Sequence, residues 1–379
     1  MNFVAFKMLV GDRPKYLGLI FAIGFASFLI SQQCSIFCSL MLRTTSQIRD
    51  IVDASIWVMD PATLYFDEAR PLPDNKLYRV RQVPGVAWAV PLFKGTATMR
   101  TDKGNFRAIT LFGLDDTSLV GAPPHMLLGR LEDLSLPDAV IIDRDGYKLL
   151  YPGEPYKIGR EIEMNERRGI IVGICKISRA FNANLVGFTR YSNALDFVGQ
   201  QRNNMSFVLA QPDPGLSPEV VAQRIKAKTG LMALDWNAFG WKTIWYYMKH
   251  TGIPINFGTT IIVGIIVGMV VAGQTFYIFT IENLKQFGAL KAIGVTNGTL
   301  LRMILLQASI VAFIGYSIGV SMCSFFIMRT THLPATRGFT IPWQVFVFTA
   351  IIIFSIVLLA SLASLRKVLV LEPAIVFRG

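Results

Sequence analysis

The chain has 379 residues, 52% of them hydrophobic and 16% charged, with a formal net charge of +12. Four charge-free runs exclude a wholly soluble protein: Leu17–Leu42 (26 residues), Thr251–Ile281 (31), Met303–Met328 (26) and Phe339–Leu365 (27). Each exceeds the roughly 20 residues that cross a bilayer core. The charge does not ask for nucleic acid, because residues 44–250 hold 25 Lys and Arg against 22 Asp and Glu, or +3, which leaves +9 mostly at span ends.

Residues 1–16 open the chain. Within Asn2–Asp12, Phe3, Phe6 and Val10 share a helical face beside Lys7, so an interfacial helix on the cytoplasmic surface is expected before Pro14. A cleaved signal peptide is the competing reading, but the apolar run is too long and no small-residue cleavage site follows it before Arg43. The first span is expected at 17–43. Basic residues near span ends set its direction. Lys7, Arg13, Lys15, Lys285, Lys291, Arg302, Arg366, Lys367 and Arg378 fall on one side, against Arg43, Arg49, Arg329 and Arg337 on the other. Both termini and the loop 282–302 are therefore expected in the cytoplasm, and the large segment 44–250 outside. Cys34, Cys38, Cys175 and Cys323 show neither a disulfide framework nor metal-site spacing.

Residues 44–250 are expected to form an α+β domain with two similar halves, 44–112 and 201–250, around an insert at 113–200. In the first half, Ala54–Met59 and Val86–Leu92 have strand character, and a helix runs between them from an Asp74 cap. A hairpin is expected next, with strands Gly95–Thr101 and Phe106–Phe112 turned at residues 102–105. In the second half, strand Met205–Ala210 leads to a helix opened by Ser217-Pro218-Glu219 and closed by Gly230, then to a strand at Leu231–Trp236. Two strand–helix–strand units flanking a β-rich insert make a split ferredoxin-like core. Asp143-Arg144-Asp145-Gly146 resembles the start of a calcium loop but lacks the closing Glu, and reads as a polar turn.

The second span is expected at 251–281, the third at 303–328 and the fourth at 339–365, with a short outer loop at 329–338 and a cytoplasmic tail at 366–379. Gly264 and Gly268 form a GxxxG pair in the second span, and Gly315 and Gly319 repeat it in the third. Small residues at that spacing let helices approach closely, which gives helix packing and also weak support for a dimer face. Gly315-Tyr316-Ser317-Ile318-Gly319 matches a hydrolase pattern, yet it sits mid-membrane without the preceding strand a nucleophile elbow needs. No catalytic site is expected.

Between the second and third spans, residues 282–302 hold a short helix-like segment. Phe287, Leu290 and Ile293 lie three apart on one face, Gly294 stops the segment, and Thr296 is placed to cap the next helix. A plain connecting loop whose lysines follow the positive-inside bias is the other reading. Glu282, Gly288, Leu290, Lys291, Ala292, Ile293 and Gly294 match the pattern Glu-Arg-x-x-Glu-Ile-Gly-x-Leu-[Lys/Arg]-Ala-[Ile/Leu]-Gly-Ala, while Asn283 stands where Arg is common and Gln286-Phe287 replaces Glu-Ile. In these residues, in the order of its elements and in its closing Leu371-Glu372-Pro373-Ala374, the chain resembles the FtsX-like permeases of ABC transporters, a family that includes MacB, LolC/LolE and DevC. The spelling QFGALKAIG looks most like the DevC branch.

The resemblance implies an α-helical inner-membrane protein of four spans with an α+β periplasmic domain, acting as a permease subunit and not as an enzyme. No phosphate-binding G-x-x-x-x-G-K-[ST] occurs, so ATP and Mg would be bound by a separate ATPase, and no cofactor is expected in this chain. Glu282, Phe287, Leu290, Lys291, Ile293 and Gly294 would couple to that ATPase, two copies of which would serve a homodimer of this permease. Lipid, a periplasmic membrane-fusion adaptor and an outer-membrane channel are the further partners expected; nucleic acid is not. With no charged residue in any span, mechanical transmission across the membrane is favoured over a polar route through it. Tripartite export is the leading expectation. LolC/LolE-like lipoprotein release and FtsX-like signalling to a cell-wall hydrolase are the alternatives.

Overall fold

The computed structural model describes Phe3, Lys7 and residues 13–101, 104, 106–182, 185–199, 204–331, 333 and 336–369. The rest of the expected interfacial helix, most of the 102–105 turn and the closing 371–374 segment lie outside the described residues. The chain divides into two units, residues 1–39 with 252–379, and residues 40–251.

In chain order the first elements are α1 (Arg13–Thr44), α2 (Ser46–Asp50), β1 (Ile56–Met59), β2 (Leu72–Pro73), α3 (Asn75–Arg81), β3 (Val86–Arg100), β4 (Phe106–Leu114), β5 (His125–Leu128) and β6 (Ala139–Asp143). Then come α4 (Arg144–Leu150), β7 (Arg160–Met164), β8 (Arg167–Lys176), β9 (Val186–Arg190), α5 (Tyr191–Val198), β10 (Asn204–Met205) and β11 (Phe207–Pro212). The last are α6 (Pro218–Thr229), β12 (Met232–Asp235), α7 (Trp236–His250), α8 (Ile253–Glu282), α9 (Leu284–Ala292), α10 (Asn297–Thr330) and α11 (Trp343–Leu369).

Helices α1, α8, α10 and α11 are long and apolar enough to cross a membrane. Their bounds differ from the charge-free runs for local reasons. Helix α10 starts at Asn297, ahead of Arg302, because the Thr296 hydroxyl accepts the Thr299 N–H at 3.4 Å and caps it. Helix α11 starts only at Trp343, after Pro342, whose carbonyl accepts the Val345 N–H at 2.9 Å. Within this unit α1 is the enclosed helix and α8 the open one: 56% of the apolar stretch of α1 is buried against 17% for α8.

The second unit is built on a four-stranded antiparallel sheet in the order β12-β1-β11-β3. Strands β1 and β3 run the same way with β11 between them, joined by α3. Strands β11 and β12 are joined by α6 and separated by β1. That is the split βαβ arrangement of a ferredoxin-like core. Ser217 caps α6, Pro218 occupies its first turn, and Gly230 ends it at φ +72°. At α3 the expected Asp74 side-chain cap is absent; Asp74 contributes its backbone carbonyl to the Leu77 N–H at 3.1 Å. Val80, Val221 and Ile225 seal the two helices onto Ile56, Val58 and Val208 of the sheet. The other face buries Trp57 against Phe66, Phe207 and Phe239, with ring centroids 5.3–5.9 Å apart.

Where two strands were expected, Val86–Leu92 and Gly95–Thr101, one strand runs through. Gly95 does not break β3. It lies against the Phe93 ring, where a Cβ would fall 2.7 Å from a ring carbon, so the glycine admits a close approach within a continuous strand. The first half of β3 belongs to the ferredoxin-like sheet and the second half pairs with β4 and β7. Pairings β3-β4-β9-β6-β8-β7-β3 then close on themselves, a small ring of strands with β5 added on β8. All five residues of β6 are buried, because Ala139 and Ile141 join one cluster while Val140 and Ile142 join another.

Asp143 closes β6 and caps α4. Its Oδ2 accepts the Asp145 and Gly146 N–H groups at 3.0 and 2.9 Å, and Oδ1 accepts the Val186 N–H at 2.8 Å. Burial pushes its carboxyl up to about 6 in spite of these three donors. A folded-state value above the unfolded one of roughly 3.9 favours the folded state when the group is protonated. This contribution is complete below about pH 4 and is lost as pH rises through 6, on the order of 3 kcal/mol in all. Asp143→Asn in the full chain is expected to lose this part of the acid dependence of the melting temperature between pH 7 and 5. It is also expected to lower stability at both pH values, because its NH2 group would face backbone donors. Parallel pH profiles of variant and parent would refute the assignment.

Asp67 forms a second polar node. It accepts the Lys94 ammonium on Oδ1, and on Oδ2 the Asn182 amide at 2.9 Å and the Tyr247 hydroxyl at 3.1 Å. Lys94 also lies 4.0 Å from the centroid of the Phe66 ring. Burial pulls the lysine below its ordinary range and Asp67 pushes back. The node ties the loop after β1, the middle of β3, the loop before β9 and α7 to one carboxylate.

Candidate functional site

The segment between the second and third membrane helices is built from its capping chemistry. Asn283 ends α8: its backbone N–H and its side-chain amide both donate to the Phe279 carbonyl, at 3.2 and 2.8 Å. The Asn283 carbonyl accepts the Phe287 N–H at 3.0 Å, which starts α9. At the far end Gly294 has φ +92°, its N–H donates to the Lys291 carbonyl, and the Val295 N–H donates to the Leu290 carbonyl. That pair of bonds is a Schellman closure, with Leu290 and Val295 both packed on the same small cluster. Glycine is needed there for its left-handed backbone and has nothing within 4 Å of a built Cβ.

The six residues expected to reach the ATPase do not share one surface. Phe287 is fully buried against Leu300, Met303 and Ile304 of α10, and Leu290 is half-buried beside it. Ile293 lies past the last helical residue and is 78% exposed. Glu282 is exposed, Lys291 half-buried and Gly294 exposed in the turn. The expected stripe Phe287-Leu290-Ile293 therefore needs correction: its first two members fasten α9 to α10 and only Ile293 faces outward. The spacing places apolar residues on one face, and α10 takes that face first. The open face is carried by Lys285, Gln286, Ala289 and Ala292 with Ile293. Sequence reasoning passed over the first two and Asn283; a short helix with only one buried aromatic signals that its opposite, mixed face is the free one.

The four glycines all meet α1. A Cβ at Gly264 would contact Ile30 at 3.6 Å, and one at Gly268 would lie 3.0 Å from Ala26. At Gly315 the nearest atoms belong to Ile23 and Gly24, at 2.7 and 3.2 Å. At Gly319 they are the Gly24 carbonyl oxygen at 2.4 Å, Ser27 at 2.6 Å and the Phe28 nitrogen at 2.7 Å. Both GxxxG pairs thus face a helix of their own chain, so these surfaces are not free for a second copy. Along the same contact Ser27, Ser31, Ser35 and Ser39 are buried on α1, and Ser27 donates to the Tyr316 carbonyl at 3.3 Å. Gly319→Ala is expected to force backbone apart and cost about 1–3 kcal/mol, against a few tenths for Gly273→Ala, whose built Cβ meets nothing within 4 Å. Thermal unfolding of the two variants in the same detergent checks this; equal stabilities would refute the close contact.

Comparison with known proteins adds the following. The family profile described as MacB-like periplasmic core domain matches residues 17–228, and that described as FtsX-like permease C-terminal matches residues 258–373. An uncharacterised ABC transporter permease of Mycobacterium tuberculosis is 26% identical over 312 residues, 82% of this chain and 80% of the relative. One of Mycobacterium bovis matches to the same extent. Among solved structures, the periplasmic region of MacB from Actinobacillus actinomycetemcomitans is similar over 54% of this chain and 96% of that one, at 15% identity and a TM-score of 0.39.

Proposed function

Because the chain belongs to the family of ABC-transporter permeases that join a MacB-like periplasmic core domain to an FtsX-like C-terminal region, we propose that it transmits ATP-driven motion across the inner membrane to that periplasmic domain. It is a multi-pass inner-membrane protein with four membrane-length helices. The single observation that carries the proposal is α9, a capped helix between the second and third spans, bolted to α10 through Phe287 and open on its other face. A soluble ATPase subunit fits that open face as a helix fits a groove, with Ile293 as the apolar contact and Lys285 and Gln286 as the polar ones. Closure of two ATPases would drive two such helices together and move α10 with them.

The DevC-like spelling of the loop favours tripartite export, in which a homodimer of this permease works with a periplasmic adaptor and an outer-membrane channel. The test is affinity purification of the tagged chain from gently solubilised membranes. An ATPase recovered with a membrane-fusion adaptor supports export. An ATPase with a cell-wall hydrolase, or with a second permease and no adaptor, supports signalling or lipoprotein release instead. Recovery of no ATPase overturns the coupling role of α9.

A further inference from the structure

We propose that the outward arc shared by α1 and α8, marked by Gln32, Gln33 and Gln274, is the surface on which a second copy of this chain docks. The inference rests on the homodimer reading above and names its face. All three amides lie deep in the bilayer. Gln274 is eight residues from Glu282, about 12 Å along the helix, and Gln32 and Gln33 are nine or ten residues from the end of the first charge-free run at Leu42, about 14–15 Å. In the described structure Gln274 is exposed, Gln32 and Gln33 are half-buried, and none of the three has a hydrogen-bond partner among the described residues. The exposed threonines of α8 differ: Thr259, Thr260 and Thr275 satisfy their hydroxyls on carbonyls of their own helix.

Exposure of apolar surface says nothing in lipid, where every outer face is apolar. An amide is different, because hydrocarbon offers it neither donor nor acceptor. Ala26, Ile30 and Phe37 of α1 meet Gly268, Gly264 and Phe257 of α8, so the two helices run antiparallel side by side. Ile356 of α11 closes one side of this pair, 3.7 Å from a Cβ built at Gly268. On the other side α1 presents Phe21, Phe25 and Gln32, spaced four and seven apart, and α8 presents Val263, Val267, Val270 and Gln274, spaced four, three and four apart. Both arcs open in one direction. A glutamine carries donor and acceptor together, so two copies related by a twofold axis satisfy each other's amides with the same residues from each side. A second copy is therefore the occupant whose chemistry matches; lipid tails do not.

The test uses the full chain in intact membranes. Gln274→Cys is expected to give a covalent dimer on oxidation, above the background from the four native cysteines, whereas Ile351→Cys, 62% exposed on α11, is not. Gln274→Leu is expected to weaken self-association by roughly threefold to tenfold in a dilution series of labelled protein. A dimer that forms a disulfide at Ile351→Cys and not at Gln274→Cys, or whose association Gln274→Leu leaves unchanged, overturns this face and leaves the homodimer standing. A chain that stays monomeric in the dilution series overturns both.

Discussion

Replacing Phe287 by alanine is expected to cost about 3–5 kcal/mol at its site, and to cost it locally. The ring fills a small cluster of its own with Leu300, Met303 and Ile304, separate from the cluster that holds α1, α8, α10 and α11 together. Loss of that cluster frees α9 while the four spans stay packed, because local opening needs only the contacts of the opening segment. Hydrogen exchange at residues 284–295 should accelerate in Phe287→Ala and much less in Phe287→Leu, with exchange in the spans unchanged. ATPase recovered with the variant should also fall or lose its link to transport. Unaltered exchange at 284–295 in Phe287→Ala would show that the aromatic does not anchor the helix. The expected direct contact of Phe287 with an ATPase predicts a binding defect on an intact α9, which the same exchange measurement separates.

Asp67→Asn is expected to destabilise residues 40–251 by about 3–5 kcal/mol, the cost of leaving a buried charge without its partner. Lys94 is the exposed half of that argument in energy terms only: its side chain is 9% accessible and cannot reach water by a change of rotamer alone. Adding Lys94→Met to Asp67→Asn should recover a large part of the loss, since the uncompensated ammonium is then gone. The recovery should stay incomplete, because Asn182 and Tyr247 also rely on the carboxylate. Thermal unfolding of the parent, both single variants and the double variant completes the cycle. Additive losses would show that the pair is not coupled and that Asp67 acts through its other two partners.

Much of the architecture was legible in the residues because it follows from local rules. Ser217-Pro218 and Gly230 bound α6 through an N-cap and a left-handed C′ residue, and both act within four residues of chain. Thr296 and Gly294 did the same on the cytoplasmic side. The two βαβ units were legible for a similar reason: strand and helix periodicities change at turn residues. Asp74 misled, because an Asx residue ahead of a helix caps it only when its side chain turns back, and here its backbone does the work. Gly95 misled as well, since a glycine in a strand marks a close approach as often as an end.

By itself the sequence determined the four spans, the split α+β domain outside them, and a capped helix between the second and third spans. These depend on composition and on contacts a few residues long, which the bilayer and the backbone read directly. Only the tertiary structure decided which side of α9 is free, that both glycine pairs are spent on α1, that β3 serves two sheets and closes a ring, and that three glutamines are left without partners. Helical periodicity sets the angle between two residues on one helix. It does not say which neighbour arrives at that angle, and contacts such as Phe287 with Met303 or Gly319 with Gly24 are settled by packing between segments far apart in the chain.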